Sequence, residues 1–289
     1  MEDTILTTTI LPLSLFIIML GMGLSLVIAD FKRIALYPKA TIIGLTNQLI
    51  LLPLIAFAIV SVLNLSPMVA VGFMLLAACP GGVTSNLITH VSRGDTALSI
   101  TLTAISSFAS VVTIPFIISS SLLHFLGDAQ TIALPVVKTI LQILTITIVP
   151  VSIGMTIQHF FPNFANRMDK PTRIFSSIIF LIILISIIAT NTETIRLYFF
   201  EFGGVSLFLN IVTMGLGFLT AQYFQLNLPQ RISIAIESGI QNSTLAIVIA
   251  TSILQQGDLA LPAAIYGLIM FLPGGFMMWY FGGRKQNNI

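Results

Sequence analysis

The stretch Glu237-Ser238-Gly239-Ile240-Gln241-Asn242-Ser243 decides how this chain is read. Apolar runs flank it on both sides, each too greasy to face water. Within it a carboxylate, two amides and two hydroxyls stand where the middle of a bilayer would be. An ionisable group at that depth is costly and marks a functional site. A glycine in the same place lets a helix open and expose its backbone. A second stretch, Pro80-Gly81-Gly82-Val83-Thr84-Ser85-Asn86, has the same character about half a chain earlier.

Composition sets the solvent. Of 289 residues, 56% are hydrophobic and 8% charged, and mean hydropathy is +1.03. A soluble domain carries about 25% charged residues, so a water-soluble fold is excluded. The net charge of +2 gives no reason to expect nucleic acid, and nothing points to a protein partner. The single cysteine, Cys79, allows neither an intrachain disulfide nor a cysteine-based metal site. It reads as a small buried apolar residue. The start, Met1-Glu2-Asp3-Thr4, is acidic where a secretory signal would carry Lys or Arg. The first apolar run is therefore expected to be a membrane span.

A spanning helix needs about 20 apolar residues. That length gives an all-α integral membrane protein of about nine helices: 4–29, 37–63, 67–92, 96–126, 132–160, 171–190, 204–224, 231–254 and 260–281. Alternating these spans puts Lys32, Arg33, Lys39, Arg93, Arg167, Lys170, Arg173, Arg231, Arg284 and Lys285 on one side, ten of the 12 basic residues. The other side receives Arg196, and Lys138 falls within the fifth span. Basic loops stay cytoplasmic, so the N-terminus is expected outside and the C-terminus inside. The acidic residues Glu2, Asp3, Asp30, Asp95, Asp128, Asp169, Glu193, Glu201 and Asp258 fall in expected termini and loops. Glu237 alone is placed deep in a span, about 9 Å beyond Arg231 at the usual helical rise.

The two polar breaks share a pattern. Gly82-Val83-Thr84-Ser85-Asn86 and Gly239-Ile240-Gln241-Asn242-Ser243 each run glycine, β-branched residue, then three polar residues. Their helices are expected to run in opposite directions. Interrupted helices at matching places in two inverted halves point to a transporter site. Unwound carbonyls there coordinate cations, and freed N–H groups at half-helix starts attract anions. One break alone reads as a tolerated kink; two polar-rich breaks carry the functional reading. Ser99 and Thr103 lie four apart on one helix face, and Gln48 is the deepest amide of the second span. Each taken singly also reads as interhelical glue. The oxygen types present suit Na⁺ and no softer metal. His90, His124 and His159 stand near span ends, far from one another in sequence.

At these residues the chain resembles the bile acid:sodium symporter family. The matching strings are Met19-Leu20-Gly21-Met22-Gly23-Leu24, Cys79-Pro80-Gly81-Gly82 with Ser85-Asn86, Arg93-Gly94-Asp95 with Ala97-Leu98-Ser99, and the stretch 237–243. They run in collinear order over nearly the whole chain, in what looks like a nine-helix form. The resemblance implies a core domain, about 37–126 and 204–281, holding two crossing discontinuous helices. It also implies a panel domain, about 4–29 and 132–190, that rocks against the core. It implies two Na⁺ sites. One is Ser85, Asn86, Ser99, Thr103 and Glu237. The other is Gln48, Glu237, Gln241 and the carbonyls of Ser238 and Ile240. Val83, Thr84, Asn242 and Ser243 are the expected substrate contacts. Phe271-Leu272 stands where some bacterial relatives carry a His-Asn pair, and Val83 where some carry a hydroxyl. Both departures lie near the expected substrate cavity and leave the ion ligands intact.

The expectation is a Na⁺-coupled symporter importing an organic anion, bile-acid-like or a small carboxylate, across a bacterial-type inner membrane. A proton-coupled carrier using Glu237, and a passive channel or sensor, are the alternatives. An intramembrane hydrolase is disfavoured, since Ser85 has no His at a workable depth and no His-Glu-x-x-His string occurs. The charge asymmetry makes a direct prediction. A green fluorescent protein fused after Ile289 should fluoresce, and alkaline phosphatase fused there should stay inactive; the reverse pattern would remove the nine-helix alternation.

Overall fold

The computed structural model describes residues 9–127, 135–190 and 192–283. Residues 4–8 of the first expected span, 132–134 of the fifth, and Glu2, Asp3, Asp128, Arg284 and Lys285 lie outside the described residues. Among the described residues there is no strand, and the one extended pairing is an isolated antiparallel bridge between Gly81 and Gln241. The all-α membrane architecture follows. Among the described residues, five stretches are long and apolar enough to cross a bilayer: Pro38–Val62, Thr96–Leu126, Val136–Phe160, Phe202–Tyr223 and Gly257–Gly282. Three shorter apolar helices, Leu11–Ser25, Pro67–Ala78 and Ser243–Ile253, accompany them.

The first described helix, α1 (Leu11–Ser25), turns at Leu26–Val27 and resumes as α2 (Ile28–Leu36). The sequence reading placed a loop over most of α2. Instead the Asp30 carboxylate accepts the Val27 N–H at 2.8 Å and starts a helix. Asp30 is buried, and its carbonyl takes the Thr101 hydroxyl at 3.0 Å.

α3 (Pro38–Thr46) passes through a π turn (Asn47–Leu51) into α4 (Leu52–Val62). Pro53 lacks an N–H and crowds the carbonyl four residues back; the π turn just before it absorbs the misfit.

α5 (Pro67–Ala78) and α6 (Val83–Val91) are the halves of the first broken helix, and α7 (Thr96–Leu126) follows. α8 (Val136–Phe160) and α9 (Pro162–Thr190) are separated by Phe161, where the sequence suggested a ten-residue loop. α10 (Thr192–Tyr223) likewise absorbs an expected loop. Glu193 falls in its first turn, where a carboxylate favours the helix dipole.

α11 (Leu228–Gly239) and α12 (Ser243–Val248), which runs on through a π turn (Ile249–Ile253), form the second broken helix. α13 (Ala260–Ile269), α14 (Phe271–Met277) and a π turn (Met278–Gly282) are the last described elements.

Packing sorts the helices. α1, α8 and α9 pack on one another. α10 lies on α11 and α13, and α7 touches α5, α6, α11 and α8. Outside, large apolar side chains such as Leu54, Leu123, Leu141, Phe208 and Leu272 are exposed. A protein in water rarely shows so much apolar surface; one in lipid does.

The α1–α8 contact depends on two glycines. A Cβ on Gly23 would lie 2.9 Å from the Val151 Cα, and one on Gly154 would lie 2.7 Å from the Leu24 N. Both neighbours are backbone and cannot turn aside. Gly23→Val should therefore cost about 1–3 kcal/mol and lower the melting temperature of the purified protein. Gly215→Ala, which meets nothing within 4 Å, should hold or raise it, because alanine favours a helix interior. Equal melting of both variants and wild type would refute this packing.

Candidate functional site

The two broken helices cross at their breaks. α5 stops at Ala78 because Pro80 lacks an N–H and disfavours helix in the residue before it. Cys79 is extended, and α6 begins after Gly82. α11 stops at Gly239, and α12 begins after Asn242, whose side-chain oxygen accepts the Leu245 N–H at 3.0 Å. Each break leaves backbone groups without helical partners. They pair across the crossing. Gly82 N–H donates to the Ile240 carbonyl at 2.9 Å, and Asn242 N–H donates to the Pro80 carbonyl at 2.9 Å. The bridge is antiparallel, so the halves run oppositely, as the sequence predicts.

Glu237, one turn before the second break, is 1% exposed. Its Oε1 accepts the Thr103 hydroxyl at 2.6 Å. Its Oε2 accepts Ser85 at 2.8 Å and Ser99 at 3.2 Å. Ser99 also reaches Asn86 Oδ1 at 2.8 Å, and Thr103 reaches the Ser99 carbonyl at 3.0 Å. Thus Ser85, Asn86, Ser99, Thr103 and Glu237 converge from α6, α7 and α11.

Protons are short there. Each hydroxyl has one hydrogen, yet Ser99 and Thr103 each face two acceptors. At least two close oxygen pairs consequently lack a proton between them. A cation relieves that repulsion. One carboxylate among neutral oxygens is a hard donor set of the kind that alkali and alkaline-earth ions take. No group of three or more His, Cys, Asp or Glu side chains occurs among the described residues to suit a softer metal.

A second cluster adjoins the first. Gln48, carried inward by the π turn, donates to Gln241 Oε1 at 2.7 Å and to the Cys79 carbonyl at 3.0 Å. Gln241 donates to the Ser238 carbonyl at 3.0 Å and the Glu237 carbonyl at 3.2 Å. Gln48, Gln241 and the Ser238 carbonyl are thus together. The Ile240 carbonyl is engaged by Gly82, with its second lone pair still open. Of the expected substrate contacts, Val83 and Thr84 are partly buried, whereas Asn242 and Ser243 are buried. The Ser243 hydroxyl has no partner among the described residues.

Residues 12–197 match the Sodium Bile acid symporter family. The chain belongs to that family. It is a membrane transporter of a sodium-coupled family and not an enzyme. An uncharacterised sodium-dependent transporter of Bacillus subtilis, YocS, is 30% identical over 281 residues, which cover 94% of this chain and 85% of the relative. A probable chloroplastic sodium/metabolite cotransporter of rice, BASS2, is 26% identical, covering 97% of this chain and 66% of the relative. The rat hepatic sodium/bile acid cotransporter is 27% identical, covering 93% and 73%.

The sequence reading of this symporter-family chain missed Asn210 and Tyr266. Both bind the Gly239 carbonyl at the second break. An amide and a phenol in the middle of apolar runs were the available signal. Gly81 supplies the test of the crossing. A Cβ there would strike the Glu237 carboxylate itself. Gly81→Ala should leave the protein in the membrane but abolish Na⁺-dependent stabilisation of the purified protein; an unchanged Na⁺ titration would show that the carboxylate is not confined as described.

Proposed function

We propose that the protein is a Na⁺-coupled symporter that imports an organic anion by alternating access. The carrying observation is the buried Glu237 carboxylate, ringed by more acceptor oxygens than hydrogens. Ser85, Asn86, Ser99, Thr103 and Glu237 would hold one Na⁺. Gln48, Gln241, the Ser238 and Ile240 carbonyls and Glu237 would hold the second. Two cations beside one carboxylate leave the site net positive, which suits an anion. Val83, Thr84, Asn242 and Ser243, at the starts of the second half-helices, would meet it. The names of the relatives support the cation, and those of the rat and rice proteins support a metabolite or bile acid cargo.

A cavity of about 680 Å³ lies between the α1–α2 turn, α7 and α8, and none of those four substrate contacts lines it. Phe31, Phe108 and Leu26 give it apolar walls, and Lys32, Gln158 and His159 give it polar ones. It lies where the α1, α8, α9 group meets α7. That is the seam along which a panel, about 4–29 and 132–190, would rock on a core, about 37–126 and 204–281. Coupling requires Na⁺ to favour the conformation that accepts the anion, since a ligand shifts an equilibrium only by differential affinity. In an inner membrane, with the N-terminus outside, an inward Na⁺ gradient and the membrane potential would together drive uptake. The potential is worth about 2.3 kcal/mol per charge per 100 mV.

A proton on Glu237 would relieve one of the close oxygen contacts, which keeps a proton-coupled carrier as the second reading. Two titrations separate them. Wild-type protein should be stabilised by Na⁺ to saturation, beyond K⁺ at equal ionic strength. Glu237→Gln keeps shape and an acceptor but loses the charge; it should lose nearly all of that stabilisation. Ser99→Ala removes one neutral ligand, about 1 kcal/mol, and should raise the Na⁺ requirement about fivefold, recoverable with more Na⁺. Wild-type behaviour of Glu237→Gln, or stabilisation that follows pH and ignores Na⁺, would overturn the sodium reading.

A further inference from the structure

α11 ends in the interior, so its last carbonyls need donors from elsewhere. The Ile236 carbonyl takes the Ile240 N–H at 2.8 Å. Those of Glu237 and Ser238 take the Gln241 amide. The Gly239 carbonyl takes two side-chain donors from two other helices. Asn210 Nδ2 on α10 donates at 2.8 Å, and the Tyr266 hydroxyl on α13 donates at 2.8 Å. The second Asn210 amide hydrogen goes to the Tyr266 oxygen at 3.0 Å. Asn210 and Tyr266 are both fully buried.

Proton counting fixes this triangle. Tyr266 has one hydrogen, directed at Gly239, and its oxygen accepts from Asn210. Turning the Asn210 amide over would set its oxygen against the Gly239 carbonyl. In the observed orientation Asn210 Oδ1 meets no donor among the described residues. A bare buried acceptor is unfavourable, and an aliphatic residue at 210 would avoid it. Packing therefore does not account for the amide; the carbonyl it holds does. The same face of α10 lies close on α11. A Cβ at Gly239 would come within 2.7 Å of the Met214 Sδ, and one at Gly217 within 2.8 Å of the Ser238 hydroxyl.

We infer that Asn210 and Tyr266 are positioning residues for the second Na⁺ site, an inference that rests on the sodium-coupled reading. They touch no ion. Successive carbonyls of extended chain point to opposite sides. Anchoring that of Gly239 toward α10 and α13 turns that of Ile240 the other way, toward Gly82 and the crossing. It also fixes the turn that keeps the Ser238 carbonyl and the Gln241 side chain facing Gln48. Without the clamp the Gly239 peptide keeps only the Ile240 N–H bond to the Ile236 carbonyl, so it can tilt, and the neighbouring ligand oxygens shift with it.

The test is Na⁺ titration of the purified full chain by thermal shift, with choline replacing Na⁺ at constant ionic strength. Tyr266→Phe keeps the ring and removes the hydroxyl. It should raise the half-saturating Na⁺ concentration about fivefold, the scale of one lost hydrogen bond, and lower the cooperativity of the titration. Ser206→Ala serves as control. It removes a fully buried hydroxyl with no partner among the described residues, one turn away on α10, and should leave the titration unchanged. Should Tyr266→Phe fail to fold, Asn210→Ser, which shortens the donor without adding bulk, gives the same readout. A lower melting temperature in choline with unchanged Na⁺ half-saturation would mean a purely structural role and overturn the inference alone. A wild-type protein indifferent to Na⁺ would overturn the sodium reading and this inference together.

Discussion

Everything at the centre of this protein depends on two backbone hydrogen bonds between two helices that stop short. In a bilayer interior no water is available to an open helix end, and each unmade bond costs several kcal/mol. Here the breaks answer each other. Gly82 gives its N–H to Ile240, and Asn242 gives its N–H to Pro80. Each break supplies the other's missing partner, and together they form a short antiparallel ladder. Gly81 stands at the ladder because the Glu237 carboxylate occupies the space that a side chain would need. The crossing thus sets the place of the carboxylate, and the carboxylate sets which oxygens gather.

Those oxygens come from scaffolds of unequal rigidity. α7 is continuous through the site and presents Ser99 and Thr103 one turn apart. Its start is tied to the second broken helix, since the Asp95 N–H donates to the Pro229 carbonyl and the Ser233 hydroxyl donates to the Asp95 carbonyl. Gln48 depends on a π turn rather than a regular helix, and the neighbouring Asn47 anchors that turn to Thr220 on α10. The first cluster is therefore held mostly by side chains on firm helices. The second is held mostly by backbone at a helix end, where a change of conformation at the break acts directly on the ligands.

Much of this was legible in the sequence because an apolar background gives polar residues contrast. Glu237 stood out as the one deep carboxylate, and Gly82 and Gly239 marked breaks that the structure places together. Ser99 and Thr103 were readable as sharing a face, but which neighbour that face meets is a three-dimensional fact; the family resemblance supplied it. α2 was missed because its charged residues, Asp30, Lys32 and Arg33, look like a loop when the criterion is greasiness. The fusion of expected loops into α9 and α10 was missed for the same reason, since helix propensity and membrane burial are separate properties. Asn210 and Tyr266 stood out only as an amide and a phenol within apolar runs, and were missed because their partner is a backbone carbonyl, which no side-chain pattern names.

Glu237 joins the two clusters through one residue. Its carboxylate takes hydroxyls from α6 and α7, while its backbone carbonyl takes the Gln241 amide that also holds Gln48. A cation drawn to the carboxylate frees the Ser85, Ser99 and Thr103 hydrogens from it, and so alters what α6 and α7 share with α11. A cation drawn to the second cluster competes with the Gln241 hydrogen for the carbonyls of Glu237 and Ser238. Occupancy of either cluster therefore changes the bonding of the same short segment, 237–241, from opposite sides. The hydrogen bonds that an ion at either cluster would displace thus end on the same five residues. In the sodium-coupled reading, this shared segment is where coupling between two ions would act. That coupling would run through one residue's side chain and backbone at once.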